Sequence, residues 1–365
     1  MASQAKNRVL ITGAEGYLGS VIAPFLMKHG HEVIGLDTGF FRDSLLYELS
    51  PYGVIKKDAR DFSEKDLKGI DVVVHLAGIS NDPFGNLTPE KIYDPTRVYA
   101  REIAALCKKA GVRFIFASSC SIYGKAEGAV LDENSIPNPQ TDYSKNKLQV
   151  EEDLAELSDK SFSPIALRFA TAFGSSPRMR FDIVVNMLSG MAFSEGKIVL
   201  NSDGEAWRPN VHVEDIARAV EAAVRSSWSG GELLVLNVGR DDNNMKIIDI
   251  AKVVAEECGA PISFLSSDKN SVAAELVKSK MVAAGGADTR NYRVSFAKIT
   301  KQFPDFVCKY SILDGVREMF SVFKKIKLSP EKFRDRRFYR LQRIEDLFTG
   351  GGIDSDLRWT RKGQL

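Results

Sequence analysis

Two polar side chains in the middle of the sequence have the types and the spacing needed to move a proton. Tyr143 and Lys147 stand four residues apart in the segment YSKNK, so on a helix they would share one face, one turn apart. A phenol has a pKa of about 10 and stays protonated at neutral pH, but a neighbouring ammonium group stabilises the phenolate. The pair predicts an acid/base centre, although the same spacing also arises by chance on ordinary helices.

A glycine-rich turn near the start of the sequence has the features of a phosphate-binding site. The apolar run at residues 9–11 predicts a buried strand, and TGAEGYLG at 12–19 predicts a turn that opens a helix. Unpaired backbone N–H groups and the positive end of a helix favour a diphosphate at such a turn. Gly13 would permit the sharp turn, Gly16 the close approach of the ligand, and Gly19 the packing of the helix against the sheet.

An acidic residue follows the second predicted strand, at residues 32–36. This residue, Asp37, lies 24 positions after Gly13. A carboxylate there can accept hydrogen bonds from both ribose hydroxyl groups of an adenosine, and it repels a 2′-phosphate. A turn residue or a helix cap would look similar, but the spacing from the glycines favours NAD over NADP as the cofactor.

These groups must be positioned by a sheet, and the apolar pattern predicts one. Further strands are predicted at residues 54–57, 71–76 and 113–117, with a charged helix after the first of them and a long helix over 89–109. Strands and helices that alternate with short connections predict an α/β fold with a doubly wound parallel sheet of the Rossmann type. His75, beside apolar neighbours at a strand end, is expected to be structural rather than catalytic.

The alternation becomes less regular beyond Leu167, which predicts a smaller C-terminal α/β lobe that binds the substrate. We expect a dinucleotide-binding domain over residues 1–170, to which later segments return, and a mainly substrate-binding lobe over 171–328. Residues 329–365 form a C-terminal extension, predicted as a helix across the protein surface or against a neighbouring subunit. That prediction rests on its charges and on its aromatic residues Phe333, Phe338, Tyr339 and Trp359.

Composition and charge argue against several other classes of protein. The chain has 365 residues, 44% of them hydrophobic and 27% charged, with a formal net charge of +2. This balance gives no reason to expect nucleic acid or a membrane as a partner. The four cysteines are widely spaced without a CxxC pair, so neither a disulfide framework nor a metal site is predicted. With no apolar run long enough to span a bilayer, we expect a soluble, cytoplasmic protein.

Six motifs in a fixed order resemble the extended short-chain dehydrogenase/reductase family, particularly its nucleotide-sugar epimerases and dehydratases. The resemblance covers residues from about 8 to 320, and the order of the motifs is far more specific than any single one. The motifs are TGAEGYLG (12–19), HLAG (75–78), SSCSIYG (118–124), YSKNK (143–147), LRFATAFG (167–174) and RPNVHVEDIARA (208–219).

The resemblance implies roles for the residues of the acid/base centre. Tyr143 would exchange the proton of a sugar hydroxyl group, Lys147 would lower the pKa of the phenol and hold the nicotinamide ribose, and Ser119 would donate a hydrogen bond to the reacting oxygen. It also implies contacts with NAD from the following residues: Gly13, Glu15, Gly16, Tyr17, Leu18, Gly19, Asp37, Thr38, Asp58, Ala59, Leu76, Ala77, Gly78, Ser118, Tyr143, Lys147 and Ala170.

The residues after Ser119 indicate which reaction to expect. Sugar 4,6-dehydratases of the family carry an Asp-Glu pair there, whereas this chain has Cys120 and Ser121. Double epimerisation at C3 and C5 would need a cysteine two residues before Tyr123, where Ser121 stands. We therefore expect epimerisation at one carbon, most often C4, with NAD returned to its starting state. A nucleotide-sugar 4-ketoreductase that uses NAD(P)H is the alternative, and a non-catalytic NAD-binding regulatory protein is a weaker one.

A nucleotide-diphosphate sugar is the substrate that the resemblance implies. Arg208 would grip its diphosphate, and either Arg290 or Arg293 would serve as a second arginine. Two further arginines precede a helix predicted over 183–192, where they would favour a diphosphate or be solvated surface charges. The expected substrate contacts are Ser80, Asn81, Ser119, Thr171, Arg178, Arg180, Asn186, Arg208 and Arg293.

The resemblance also implies a homodimer, formed through helices at 89–109 and 141–158. Thr96 departs from the family pattern, since it stands where an asparagine is common. The corresponding contact with the cofactor is expected to be altered.

Overall fold

The computed structural model describes residues 6–80, 88–265, 290–361 and 363. Its strands, in chain order, are β1 (Arg8–Thr12), β2 (Glu32–Asp37), β3 (Val54–Lys56), β4 (Val72–His75), β5 (Arg113–Ser119), β6 (Lys125–Leu131), β7 (Ile165–Phe169), β8 (Thr171–Phe173), β9 (Ile198–Leu200), β10 (Trp207–His212), β11 (Leu234–Val238), β12 (Asn244–Lys246), β13 (Ile262–Phe264) and β14 (Asn291–Val294).

The α-helices in the same ranges are α1 (Gly19–Lys28), α2 (Pro89–Ala110), α3 (Asp142–Leu157), α4 (Val184–Glu195), α5 (Val213–Arg225), α6 (Ile247–Cys258), α7 (Ala297–Gln302), α8 (Ile312–Ile326), α9 (Pro330–Phe333) and α10 (Arg340–Thr349). None of these helices is both long enough and apolar enough to cross a membrane.

A seven-stranded sheet in the order β11-β7-β5-β4-β1-β2-β3 forms the centre, and every neighbouring pair in it is parallel. Successive residues of β1 point to opposite faces: Val9 and Ile11 pack with α1 and α5, whereas Leu10 packs with α2 and α3. Apolar side chains on both faces are what a fully covered parallel sheet requires. The Rossmann-type fold predicted from the sequence is confirmed.

The second half of the chain contributes strands to three smaller sheets and forms most of a second core. The smaller sheets have the strand orders β12-β10-β8, β13-β9 and β14-β6. The helices α4, α6 and α8 pack around the second core with β9. One strand from this half, β11, lies beside β7 in the large sheet.

The sequence predicted a charged helix between β3 and β4, and this prediction is wrong. The segment holds two short 3-10 turns, Ala59–Asp61 and Glu64–Leu67. The Asp58 carboxylate caps the first by accepting a hydrogen bond from the backbone N–H two residues later (2.9 Å), and Ser63 and Asp66 form a capping box on the second. Because each cap satisfies the first backbone N–H groups of a new turn, the segment divides in two.

The C-terminal extension packs into the core of its own chain. Phe333, Phe338 and Tyr339 are at most 1% exposed and surround Phe181, with ring centroids 5.0, 5.8 and 6.5 Å from it. Gly190 on α4 leaves room for Phe333, because a Cβ atom there would lie 2.6 Å from a ring carbon. The expected position across the surface or against another subunit is wrong for these three side chains, since they fill the core beside α4.

We expect Phe333→Ala to destabilise the protein by about 3–5 kcal/mol, because it leaves a ring-sized cavity among packed aromatic side chains. The midpoint of urea-induced unfolding measures this loss. Ile136→Ala is the matched control: the Ile136 side chain is 90% exposed, so its truncation should change the stability by less than about 0.5 kcal/mol. Equal effects of the two substitutions would contradict a core position for the extension.

Candidate active site

A cavity of about 1010 Å³ lies where the carboxyl ends of the large sheet meet the second core. Its wall includes the glycine turn after β1, the ends of β2, β4 and β5, the start of α3 and part of β10. Doubly wound sheets bind ligands at this edge, outside the carboxyl ends of the strands. The cavity therefore brings together both centres of chemistry predicted from the sequence.

The glycine turn after β1 requires glycine at two of its positions. Gly13 has φ = +74°, and a Cβ atom there would lie 2.8 Å from the backbone nitrogen of Ala77. A Cβ atom on Gly19 would lie 2.5 Å from the carbonyl oxygen of Gly13. Gly16 and Tyr17, which lead into α1, line the cavity. A diphosphate bound against them would therefore lie at the start of the helix.

Asp37, at the end of β2, lines the cavity in a fixed orientation. Its two carboxylate oxygens accept hydrogen bonds from the backbone N–H groups of Glu15 (2.9 Å) and Gly39 (2.7 Å). Burial raises the pKa of this carboxyl group above its ordinary value, and the two N–H groups oppose that rise. Each oxygen keeps a further acceptor site, which suits the hydroxyl groups of a ribose.

Tyr143 and Lys147 lie on the face of α3 that lines the cavity. The helix begins after Thr141, whose hydroxyl oxygen accepts a hydrogen bond from the backbone N–H of Ser144 (3.3 Å). Lys147 Nζ lies 5.8 Å from the centroid of the Tyr143 ring and donates to the carbonyl oxygen of Ala117 (2.6 Å). Burial lowers the pKa of Lys147 to about 8. The ammonium group is thus held in a poorly hydrated position beside the phenol.

Ser119 completes this centre at the end of β5, where it also lines the cavity. Its hydroxyl oxygen accepts a hydrogen bond from the Ser121 N–H (3.1 Å), which leaves the hydroxyl hydrogen for a ligand oxygen. Behind it, Ser118 donates to Glu151, and Glu151 forms an ion pair with Arg168 (2.6 Å). This buried pair ties α3 to β5 and β7, and the sequence analysis missed it. Its signal was the position of Glu151, one helical turn after Lys147.

Most of the predicted site residues share this one cavity. The predicted NAD contacts that line it are Gly13, Gly16, Tyr17, Leu18, Gly19, Asp37, Thr38, Asp58, Ala59, Leu76, Ala77, Gly78, Ser118, Tyr143, Lys147 and Ala170. The predicted substrate contacts that line it are Ser80, Ser119, Thr171, Arg180 and Arg208. Asn81 lies outside the residues that the structure describes.

Two predicted contacts, Glu15 and Arg178, support the site from behind and do not line the cavity. Their side chains form a buried ion pair (3.2 Å), and Glu15 also pairs with Arg42 (3.0 Å). Arg178 donates in addition to the carbonyl oxygen of Phe41 (3.1 Å). Because these groups hold the loop after β2 against the glycine turn, we withdraw the expectation that either side chain touches a ligand.

Asn186 and Arg293 also lie away from the cavity wall. The side chain of Asn186 accepts from the Gly174 N–H (3.0 Å) and donates to the Tyr17 hydroxyl oxygen (3.2 Å), so it joins two loops. Arg293 donates to a carbonyl oxygen of β6 (2.7 Å) and stacks on a tryptophan ring. Of the two arginines left open by the sequence, Arg290 is the one that lines the cavity.

The C-terminal extension contributes to the cavity wall, which the sequence analysis did not predict. Arg340, Leu341, Asp356 and Leu357 all line it. Arg60 donates to the carbonyl oxygens of Asp356 (2.6 Å) and Leu357 (3.1 Å). The indole nitrogen of the tryptophan at position 359 donates to the carbonyl oxygen of residue 38 (2.6 Å). In the sequence, the mixture of arginines and aromatic residues over 333–340 was the signal that could have indicated this contribution to the cavity wall.

The fold and the cavity define a dinucleotide-binding Rossmann enzyme with a tyrosine–lysine acid/base centre. The glycine cradle and the oriented Asp37 carboxylate fit the diphosphate and the adenosine ribose of NAD. The model of the NAD dependent epimerase/dehydratase family matches residues 9–239, which is more than half of the chain. The protein belongs to this family, and NAD is its cofactor. The resemblance, the enzyme class and the cofactor predicted from the sequence are confirmed.

Alignments with known proteins of this kind extend over most of the chain. The UDP-glucose 4-epimerase of Streptomyces lividans is 28% identical over 277 residues, 70% of this chain and 82% of that protein. The structure of MoeE5 in complex with UDP-glucose and NAD has a TM-score of 0.70 and 25% identity, over 87% of this chain and 99% of that one. TunA, an NAD-dependent NDP-hexosamine 5,6-dehydratase, shares the fold, with a TM-score of 0.74 and 22% identity over 88% and 99% of the two chains.

His75 lies at the end of β4, beneath the cavity. It is buried, and its Nδ1 lies 2.9 Å from the hydroxyl oxygen of Thr12. Burial, together with the nearby charge of Lys147, lowers the pKa of His75 to about 3. The imidazole is therefore neutral in the folded protein at pH 7, as a structural histidine should be.

We expect His75 to make the stability depend on pH. The unfolded chain binds a proton there below about pH 6.5, whereas the folded chain does so only near pH 3, so stability is lost as the pH falls through this window. Between about pH 6.5 and pH 5 the loss should be about 2 kcal/mol. His75→Gln should remove that part of the decline, measured by urea unfolding at each pH. His29→Gln, which removes an exposed imidazole, should keep the decline of the parent protein, and an unchanged decline in His75→Gln would contradict the assignment.

Proposed function

We propose that this protein epimerises a UDP-sugar at C4 and returns NAD to its oxidised form in each turnover. The observation that carries the proposal is the presence of Ser119, Tyr143 and Lys147 on the wall of the cavity that also contains the glycine turn and Asp37. The relative from Streptomyces lividans is named a UDP-glucose 4-epimerase, and the MoeE5 complex contains UDP-glucose and NAD. Both names support this choice of nucleotide, and the name of the Streptomyces lividans relative supports the choice of carbon.

The side chains of the acid/base centre suit this reaction. NAD, when bound, supplies the acceptor and the donor of hydride. Tyr143 would take the proton of the C4 hydroxyl group and later return it to the oxygen of the keto-sugar. Lys147 would stabilise the phenolate, and the Ser119 hydroxyl group would donate a hydrogen bond to the reacting oxygen.

The surroundings of Ser119 favour epimerisation over dehydration. Dehydration needs a second acid/base pair that acts on neighbouring sugar carbons. The Cys120 thiol is buried and donates to the carbonyl oxygen of Arg168 (3.1 Å), and burial raises its pKa well above the ordinary value. Ser121 is too weak an acid for that work. Oxidation and reduction at a single carbon is therefore the chemistry that the residues support.

The second core supplies groups for the nucleotide of the substrate. Arg208 and Arg290 line the part of the cavity that also includes Asn201 and Ser202. Arg208 donates to the carbonyl oxygens of Trp207 (2.9 Å) and Arg290, which fixes its position. We assign these two arginines to the diphosphate of the UDP-sugar, because one guanidinium group can donate two parallel hydrogen bonds to phosphate oxygens.

The homodimer and the cytoplasmic location predicted from the sequence remain part of this proposal. The helices α2 and α3 pack side by side on one face of the large sheet. On α2, Val98 is 54% exposed. An apolar side chain of this kind would be covered by a second copy of the chain.

We expect Tyr143→Phe to lower kcat by about 10²–10⁴-fold, because the variant has no group to accept and return the hydroxyl proton. The amount of NAD released per chain on acid denaturation should stay at the parent level, since the ring is retained. Tyr47→Phe removes a phenol outside the cavity wall and should keep kcat within about twofold. Parent-level activity in Tyr143→Phe would remove the proposed acid/base.

The substrate is tested by incubating the purified protein with UDP-glucose, UDP-glucuronic acid and GDP-, CDP- and dTDP-sugars. Each is run with and without NAD(P)H and followed by chromatography and proton NMR. We expect the C4 epimer of a UDP-sugar with no net change in cofactor. Product that forms only with stoichiometric consumption of NAD(P)H would replace the proposal with a 4-ketoreductase, and no turnover of any sugar would favour a non-catalytic NAD-binding protein.

A further inference from the structure

Three arginines with little solvent exposure lie near the glycine turn, and in the part of the chain that the structure describes only two of their side chains pair with a carboxylate. Arg178 pairs with Glu15 (3.2 Å), and Arg180 pairs with Asp182 (2.8 Å). Arg340, the first residue of α10 in the extension, is 4% exposed and forms no ion pair with any residue of the described ranges. Its guanidinium donates to the backbone carbonyl oxygen of Arg178 (2.8 Å), which places it against the segment that carries the other two arginines.

Arg340 lines the cavity and is short of partners. Besides the carbonyl oxygen of Arg178, it contacts the ring of Phe41, with 4.3 Å from the guanidinium carbon to the ring centroid. Its Nη1 is buried and has no hydrogen-bond partner among the residues that the structure describes. Burial and the charge of Arg180 lower the pKa of Arg340 to about 9. A buried cation with an unsatisfied N–H group destabilises a protein unless an anion neutralises it.

The surroundings of Arg340 indicate which anion this is. The neighbouring Arg178 pairs with Glu15 inside the glycine turn. Two further carboxylates affect Arg340 electrostatically: Asp182, which already pairs with Arg180 and accepts from the Arg340 backbone N–H (3.3 Å), and, less strongly, Asp37. Asp37 lines the part of the cavity that fits the dinucleotide, and Glu15 supports that part from behind. Under the proposed function, the diphosphate of the UDP-sugar is assigned to Arg208 and Arg290, which line the cavity as well. The doubly charged diphosphate of the dinucleotide, at the start of α1, is therefore the anion that matches this position.

We propose that Arg340 binds the diphosphate of NAD, so that the C-terminal extension completes the cofactor site. The proposal rests on NAD as the cofactor and is independent of the carbon that is epimerised. Arg180 also lines the cavity, but it already pairs with Asp182 (2.8 Å) and donates to the hydroxyl oxygen of Ser80 (2.6 Å), so the proposal is made for Arg340 alone.

A second part of the extension lines the cavity near Asp58, a predicted contact of NAD. Leu357 has φ = +53°, a conformation that a leucine adopts only where its surroundings hold it. It is 6% exposed, lines the cavity, and its carbonyl oxygen accepts a hydrogen bond from Arg60. Since Arg60 also pairs with Asp58 (2.6 Å), the extension is connected to predicted NAD contacts here as well.

Calorimetric titration of the NAD-free, full-length protein tests the proposal without any turnover. The ligands are NAD, ADP-ribose, adenosine and UDP, of which adenosine alone has no diphosphate. We expect Arg340→Gln to weaken the binding of NAD and ADP-ribose by about 10–100-fold, because a charge-assisted hydrogen bond is lost. Binding of adenosine and UDP should change by less than about twofold.

Arg337→Gln is the matched control in the same extension. Arg337 is half exposed and pairs with Asp335 (2.6 Å) away from the cavity wall, so its loss should leave all four affinities unchanged. If Arg340→Gln does not fold, as judged by circular dichroism, Arg340→Lys is used. This variant keeps the positive charge, so its affinity for ADP-ribose should fall by an intermediate factor and its affinity for adenosine should not change.

Three outcomes would overturn the proposal. An unchanged affinity for ADP-ribose would make Arg340 a structural residue. A loss confined to UDP would assign it to the substrate. An equal loss for adenosine and ADP-ribose would mean that the substitution disturbs the whole pocket. Because none of these titrations involves a sugar reaction, failure of the proposed C4 chemistry would leave them unaffected.

Discussion

The close approach of three strand ends, with no side chain between them, is the constraint on which the site depends. The Gly13 N–H donates to the carbonyl oxygen of Leu36 (2.9 Å), and the Leu76 N–H donates to that of Thr12 (3.0 Å), so the ends of β1, β2 and β4 are held side by side. A side chain at Gly13 would collide with the backbone after β4. The glycine turn that fits the diphosphate follows β1, and Asp37 is the last residue of β2. A shift of one strand would therefore displace both.

Buried charges in this protein serve two purposes, and their partners distinguish them. The Glu151–Arg168 pair is satisfied within the chain, with both side chains buried, and it fixes α3 against the sheet behind the acid/base centre. Glu15 and Arg178 do the same for the loop after β2. Arg340 has no such partner within the described part of the chain. A charge whose needs are met by its own chain stabilises the fold, whereas one left unsatisfied at a cavity wall points to a ligand.

The sequence predicted those parts of the site whose signals are local. The glycine turn and the Tyr143–Lys147 pair each depend on spacing within one turn or one helix, and both line the cavity as expected. Arg178 and Asn186 were misjudged because their partners come from distant segments, and no local pattern shows that a polar side chain is already satisfied. The charged helix after β3 failed for a different reason, since two caps within nine residues divided it. The extension could not be placed because aromatic residues show that a segment is buried without showing against what.

The extension has a consequence for the order in which the cofactor site is assembled during synthesis. The glycine turn and Asp37 leave the ribosome early, whereas Arg340 and Leu357, on the wall of the same cavity, follow about 300 residues later. At ordinary rates of translation this interval is on the order of tens of seconds. During that time the cofactor site lacks the part of its wall that the extension supplies.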